Sequence, residues 1–350
     1  MDAFFASAEE VATPGFLGKP IAVGSDPDNG KGRGVVSTAN YKAREYGIHS
    51  AMPISIAWRI SERAKEQGKE GVVFLPVDFE LYNRVSDNIL RIIKKHSKVV
   101  EQASIDEFYF DLSFLKTFKK TEEECLRIKE EIKKKEKITC SVGIGPNKLI
   151  SKIAAGINKP NGMLVIKDKE VHKFLNPLPI REIPGIGPKT AQRLYAMEVQ
   201  TIRDLIKVNK NQLKEMLGKQ GEKIYYKVRG IDDDPVTEYR EVKSIGEQTT
   251  FDENTLDIKL ICDAFTNLSS DVFERFKESK FSEFKNITIT VRFSDFETIT
   301  SSKTFKEGMK DKKKMKIEVL KLVLPFLDRR SNPRHKLIRL IGVRVEKLVK

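Results

Sequence analysis

Apolar residues recur three or four positions apart from Phe79 to His96, the spacing that gathers them on one face of a helix. A different rhythm holds at Ile287, Ile289, Val291 and Phe293, which alternate with Thr288, Thr290, Arg292 and Ser294. Period two predicts a strand with one buried face. These two rhythms place strands at 35–38, 71–75, 138–144 and 163–166, and helices at 39–46, 79–96, 121–137 and 148–155. Gly47 stops the first of these helices at its end. Residues 167–230 read as helical, interrupted by turns at 185–187 and at Gly218. Residues 244–350 read strand, helix, strand, strand, helix, strand, and the second helix, about Lys312 to Leu327, is basic on one side. Between these segments, 231–243 runs from acidic to basic around Pro235 and reads as a linker. The sum is a multidomain α+β chain.

One site breaks the pattern. Asp106 and Glu107 stand side by side in the run Ala-Ser-Ile-Asp-Glu-Phe-Tyr-Phe-Asp, 103–111, whose Phe108, Tyr109 and Phe110 are strong strand formers. An ionised carboxylate removed from water is costly unless something pairs with it, and adjacent acids also repel. A divalent cation resolves both problems, and ligands that are all oxygen favour Mg²⁺ or Mn²⁺. The plainer alternative is a hairpin turn with two solvated acids, since neighbouring strand residues face opposite ways.

Charge adds a partner. The chain has 350 residues, with 64 Lys and Arg against 50 Asp and Glu, a net of +14. From 303 to 350 there are 16 basic and 5 acidic side chains, or +11. Such a local field fits a polyanion, most simply nucleic acid; the ordinary alternative is a solvated Lys-rich surface. Three scattered cysteines (Cys125, Cys140, Cys262) give no disulfide framework, and four scattered histidines give no zinc spacing. No apolar run approaches a membrane span and no signal peptide precedes the first polar residues, so the expectation is a soluble protein of a reducing compartment.

Three further constellations carry chemistry. Tyr41 and Arg44 lie three apart on a predicted helix and share a face, where a hydroxyl and a guanidinium fork grip phosphate oxygens; an amphipathic helix with an exposed Arg gives the same pattern. Lys159 stands where a helix ends before Pro160, placed to act as a point charge on a triphosphate, although the helix dipole alone favours a lysine there. Gly185 and Gly187, followed by Lys189, form a glycine-bounded turn between helices, similar to a helix-hairpin-helix whose backbone N–H groups bind a DNA phosphate. An ordinary helix corner does not need both glycines. The glycines at 30–34 fit neither a Walker pattern nor a dinucleotide fingerprint and read as a loop.

Six segments in order resemble the Y-family translesion DNA polymerases, of the DNA polymerase IV type. They are Met-Asp-Ala-Phe-Phe-Ala-Ser (1–7), Gly-Val-Val-Ser-Thr-Ala-Asn-Tyr-Lys-Ala-Arg (34–44), Ser-Ile-Asp-Glu (104–107), Asn-Lys-Pro-Asn-Gly (158–162), Pro-Gly-Ile-Gly (184–187) and Lys-Ser-Ile-Gly-Glu-Gln-Thr-Thr-Phe (243–251). The resemblance implies a right-hand polymerase: palm (1–10 and 71–165), small fingers (11–70), helical thumb carrying the hairpin (166–230), linker (231–243) and α/β little finger (244–350). It implies that a primer 3′-hydroxyl attacks the α-phosphate of a dNTP, with two Mg²⁺ held by Asp106 and Glu107 and Mn²⁺ as a possible substitute. Tyr41, Arg44 and Lys159 hold the β- and γ-phosphates, and Phe4, Phe5, Ser37 and Thr38 complete the nucleotide site. Phe5 matches the steric gate that excludes a 2′-hydroxyl; plain core packing is its alternative. Gly185, Gly187, Lys189, Lys312, Lys313 and Lys314 are the residues expected to touch DNA.

The resemblance also implies low fidelity without proofreading, with small residues Gly34, Ser37 and Ala39 around the nascent base pair. It implies primer-template DNA and dNTP as partners, a sliding clamp by kinship only, no membrane, a monomer, and a cytoplasmic location (nucleoid-associated if prokaryotic). Residues 344–350 contain no convincing clamp peptide. One departure stands out. The family's first metal-binding aspartate lies two residues before the one matched by Asp2, ahead of Met1, so Met1 is expected to be an internal methionine. The rival expectation is a primer-template binding protein with weak or no catalysis for want of that aspartate. A metal-dependent nuclease is a third, against which the phosphate-gripping pair Tyr41 and Arg44 argues.

Overall fold

The computed structural model describes residues 1–239 and 241–350. The chain divides into two compact units, Met1–Tyr239 and Arg240–Lys350.

The first unit opens with helix α1 (Phe4–Ala12), which buries Phe4 and Ala8 one turn apart. Ahead of it, Met1 and Asp2 bond sideways as a strand does: Met1 N donates to Asp106 O at 2.6 Å and Asp2 N to Thr139 O at 3.1 Å. This strand-like pairing is confined to residues before Phe4, where the helix begins. Strands β1 (Ile21–Gly24) and β2 (Val36–Ala39) pair antiparallel. Helices α2 (Tyr41–Glu45) and α3 (Ile54–Glu66) follow, and β3 (Val73–Leu75) joins β1 in parallel. The helix expected at 39–46 is shorter because Ala39 stays in the ladder and the Asn40 side chain caps α2 by accepting from Ala43 N.

Helix α4 (Phe79–His96) is capped by Asp78 and buries Leu81, Tyr82, Val85, Ile89, Ile92 and Ile93, the face its periodicity predicts. Next come β4 (Val100–Gln102) and β5 (Phe108–Phe110), an antiparallel hairpin, then α5 (Phe118–Glu136), β6 (Val142–Ile144), α6 (Lys148–Ile157) and β7 (Met163–Val165), with β6 and β7 parallel. The core joins α1, α4 and α5 to these strands through Phe4, Val23, Tyr82, Ile89, Ile128 and Ile138.

Helices α7 (Val171–Leu175), α8 (Pro188–Tyr195), α9 (Ile202–Lys207), α10 (Lys210–Leu217) and α11 (Lys219–Lys227) form the expected helical stretch around Ile180, Ile183, Leu194, Ile202 and Leu213. The acidic half of the segment read as a linker is tied down rather than free. Asp232 accepts from Leu149 N at 3.0 Å, and Thr237 N donates to Glu101 at 3.1 Å. Residue 240 of that segment lies outside the described residues.

The second unit runs β8 (Ser244–Thr255), α12 (Ile258–Lys277), β9 (Glu283–Phe293), β10 (Thr298–Met309), α13 (Lys312–Leu327) and β11 (Ile338–Val349). Its sheet has the order β10-β9-β11-β8 and is antiparallel throughout. One face buries Ile287, Ile289, Val291 and Phe293 against α12 and α13. By the same alternation Thr288, Thr290 and Arg292 take the opposite face, beside Ser302, Thr300 and Arg344 of the neighbouring strands.

Candidate active site

Asp106 and Glu107 lie not inside β5 but in the turn that enters it. Ala103 N and Ser104 N both donate to Glu107 O, at 2.9 and 3.2 Å, and Ser86 Oγ pins the turn by donating to Ile105 O at 2.5 Å. The aromatic strand formers take the ladder, which leaves the acids half-buried at its mouth. Asp106 Oδ1 accepts from Ser104 Oγ at 2.7 Å. Glu107 Oε1 accepts from Tyr109 OH at 2.6 Å and from Lys152 Nζ at 2.5 Å, and Lys152 also touches Oε2. Burial works against ionisation of Glu107, but Lys152 and Tyr109 outweigh it and hold its carboxyl below the usual range. Burial, then the bond to Glu107, pushes the Tyr109 phenol up. A cavity of about 830 Å³ opens beside these groups, lined by Asp106, Glu107, Lys152 and Lys159 among others.

Asp2 is 1% exposed and points elsewhere. Its oxygens accept from Ser141 Oγ at 2.8 Å, Thr139 Oγ1 at 3.0 Å and Asn161 N at 2.8 Å. The last bond fastens the turn that carries Lys159, whose Nζ reaches Met1 O at 3.4 Å. Among the described residues no group of three or more His, Cys, Asp or Glu side chains is set to hold a metal ion.

Helix α2 presents Tyr41 and Arg44 together. The Arg44 guanidinium lies 4.8 Å from the Tyr41 ring centroid, and Arg44 Nε donates to Ala39 O at 2.9 Å. The Tyr41 hydroxyl is buried and has no hydrogen-bond partner among the described residues. Burial raises its pKa, the nearby Asp2 carboxylate adds to the rise, and Arg44 opposes it. Ser37 and Thr38 sit on β2, half-buried, in the strand that leads into α2.

Phe4 and Phe5 both lie against Tyr82, with their own ring centroids 5.9 Å apart. Phe4 is buried in the core, so its side chain is committed to packing. Phe5 is half-buried and stacks on Tyr82, with centroids 4.1 Å apart and planes 9° from parallel, while Phe79 meets it edge-on at 6.0 Å.

The glycine turn precedes α8: Gly185 has φ +103, Ile186 is buried as an anchor, and Gly187 is the N-cap. Gly185, Gly187 and Lys189 are all exposed. In the second unit Lys312, Lys313 and Lys314 form the first turn of α13; Lys312 is paired with Glu274 at 2.8 Å, and Lys313 and Lys314 are exposed. Sequence reading missed Lys152, Tyr82 and the arginines of the open sheet face, Arg292 and Arg344. The alternation at 287–294 carried the signal for Arg292; nothing local links Lys152 to Glu107.

Three family models match the chain: the impB/mucB/samB family over residues 1–156, its C-terminal domain over 242–350, and the DNA polymerase-iota thumb domain over 181–232. The chain therefore belongs to the impB/mucB/samB family, the Y-family DNA polymerases. It is 41% identical over 349 residues to DNA polymerase IV 2 of Methanosarcina mazei, covering 99% of this chain and 90% of that one. Among solved structures it is similar to a Y-family DNA polymerase chimera of Dbh and Dpo4, with TM-score 0.87, 33% identity, and coverage of 100% of this chain and 98% of the other. An insertion ternary complex of Dbh DNA polymerase matches at TM-score 0.65 and 32% identity, covering 99% and 97%. The expected architecture of palm, fingers, helical thumb and little finger is that of this family.

Proposed function

We propose that this protein is a DNA-directed DNA polymerase of the lesion-bypass kind, adding nucleotides from dNTP to a primer 3′-hydroxyl on damaged or distorted template, with low fidelity and no proofreading. The observation that carries the reading is the Tyr41 hydroxyl. A buried polar group without a partner calls for a ligand, and this one stands beside a guanidinium, the companion that a phosphate needs.

In this reading residues 1–10 and 71–165 are palm, 11–70 fingers, 166–230 thumb, 231–243 linker and 244–350 little finger. Tyr41, Arg44 and Lys159 donate to the β- and γ-phosphate oxygens. Ser37 and Thr38 line the nucleotide site, where Phe4 contributes packing. Phe5 lies flat under the sugar, so that a 2′-hydroxyl has no room. Asp106 and Glu107 fit Mg²⁺, which binds through one or two carboxylates together with substrate phosphates and keeps several waters; Mn²⁺ suits the same oxygens. Two such ions, when bound, stabilise charge on the attacking and leaving oxygens. Lys152, which pairs with Glu107, must give way when the ion binds.

The glycine turn with Lys189 holds a DNA backbone phosphate, as do Lys313 and Lys314 on α13; Lys312 must first leave Glu274. Arg292 and Arg344 add donors on the open sheet face. Primer-template DNA and dNTP are the substrates, and kinship adds a sliding clamp, a monomeric chain and a cytoplasmic location. Among the described residues no helix is long and apolar enough to cross a membrane.

Primer extension with Mg²⁺ tests the reading. Extension that disappears in Asp106→Ala supports it. DNA binding without extension turns it into a primer-template binding protein, and shortening of the strand turns it into a nuclease.

A further inference from the structure

We infer that Glu10 is a positioning residue that, through Asn40, holds the phosphate grip of α2 in register with the sugar-facing Phe5 on α1. The inference rests on the polymerase reading of the same site.

Asn40 is 5% exposed and every hydrogen-bonding capacity of its amide is used. Its Oδ1 accepts from Ile21 N and from Ala43 N, both at 3.0 Å. Its Nδ2 donates to Lys19 O at 2.7 Å and to Glu10 Oε1 at 2.8 Å. Three of these bonds stay within residues 19–43. The fourth reaches α1. Asn40 is also the N-cap of α2, directly before Tyr41 and four residues before Arg44. A five-residue helix has no length of its own to hold a direction, so its cap fixes where both phosphate-holding side chains stand.

The other end of the link is equally defined. Glu9, beside Glu10 on α1, accepts from Tyr82 OH at 2.6 Å. Tyr82 is the ring on which Phe5 stacks. Consecutive helix positions point about 100° apart, so adjacent acids reach different neighbours. Glu9 fastens α1 to α4, where Tyr82 supports Phe5. Glu10 fastens α1 to the cap of α2. The sugar gate and the triphosphate grip are thus joined through one helix, and Glu10 is the member of this chain of bonds that can be removed without uncapping α2 or exposing the Phe5 ring.

Glu10→Leu deletes the acceptor, Glu10→Gln keeps one, and Asn40→Asp sets two carboxylates facing while preserving the cap oxygen. Single-nucleotide incorporation is measured with dNTP and with NTP. Glu10→Leu and Asn40→Asp are expected to raise KM for dNTP about tenfold with kcat changed less than about threefold, and to cut the preference for dNTP over NTP by about fivefold, the scale of a displaced binding group. Glu10→Gln should recover most of both. Adding Glu10→Gln to Asn40→Asp should recover part of the loss, because the bond is remade with donor and acceptor exchanged. Equilibrium binding of dNTP and NTP to the protein on a chain-terminated primer-template gives the same ratio without chemistry, and thermal melting separates misfolding from displacement. The inference is overturned if Glu10→Leu is folded and keeps wild-type KM and sugar preference, if Glu10→Gln fails as badly as Glu10→Leu, or if the double variant recovers nothing over Asn40→Asp. A wild-type chain that neither incorporates nor binds nucleotide overturns the polymerase reading itself, and this inference with it.

Discussion

Lys152 lies against both carboxylate oxygens of Glu107, a residue 45 positions earlier in the chain. An ammonium on one side of a carboxylate competes with a metal ion for it. Both side chains are more than a third exposed, so the pair is worth only about 0.5–1 kcal/mol after solvent screening. Lys152→Met should therefore lower the Mg²⁺ concentration for half-maximal extension by about two- to fivefold. A Mg²⁺ titration of the extension rate checks this, and an unchanged or raised midpoint counts against competition.

Tyr41→Phe separates stability from substrate binding. Among the described residues the hydroxyl has no partner to lose in the free protein, so melting should stay the same or rise slightly. With nucleotide the variant loses a hydrogen bond to a charged group, which predicts a rise in KM for dNTP of about tenfold or more. A fall in melting temperature with KM unchanged would mean that the hydroxyl serves the fold.

Phe5→Ala should admit ribonucleotides, read as the ratio of incorporation efficiencies for dNTP and NTP. It also removes the ring stacked on Tyr82, an aromatic pairing worth about 0.5–1.5 kcal/mol beyond area, so the variant should melt lower as well. Unchanged sugar discrimination in a destabilised variant returns Phe5 to core packing alone.

His96 bridges α4 to α5, with Nδ1 2.6 Å from Glu124 and Nε2 3.1 Å from Glu131. Lys95 and Lys135 also reach Glu131, and Arg127 reaches Glu124. Burial works against a charge on His96, but the two glutamates outweigh it and lift its pKa above the ordinary 6.5. A group raised in the folded state contributes fully below its unfolded pKa and loses that contribution as pH rises through the folded value. Relative to His96→Gln, the wild type should melt about 2 °C higher near pH 5.5 and converge with it on the alkaline side. A gap that is constant from about pH 5.5 to 9 excludes the charged bridge.

Lys313→Glu with Lys314→Glu should weaken DNA binding and make the slope of log affinity against log salt shallower by about two, one for each phosphate left without its lysine. Arg344→Ala, on the open sheet face, should act in the same way by about one. A slope unmoved by the lysine changes makes the start of α13 plain solvated surface.

Much of this was legible in the chain itself. The alternation at 287–293 returned as β9 with its alternate residues in the core, and the apolar spacing of 79–96 as the buried face of α4. The adjacency of Asp106 and Glu107 marked the cavity mouth, but their place within a strand did not follow, because the aromatic residues after them carry the ladder. Nor did α1: its N-cap Ala3 provides no side-chain bond, and nine residues nucleate poorly in isolation, so packing of Phe4 and Ala8 against the core decides it. The pairs Glu107 with Lys152, Glu10 with Asn40 and Asp2 with Asn161 join residues far apart in sequence. Periodicity describes neighbours on one element and is blind to such meetings.

Asp2 gives the last of these pairs a consequence for how damage spreads. Its single side chain rivets the opening of the chain, the approach to β6 and the corner bearing Lys159. Asp2→Asn would replace one of those oxygens with an amide N–H₂, so at least one of the three bonds must be lost or reversed. Where the bond given up is the one to Asn161 N, a fault at Asp2 would surface, in the polymerase reading, as a slackened hold on the far end of a triphosphate with the acid pair untouched.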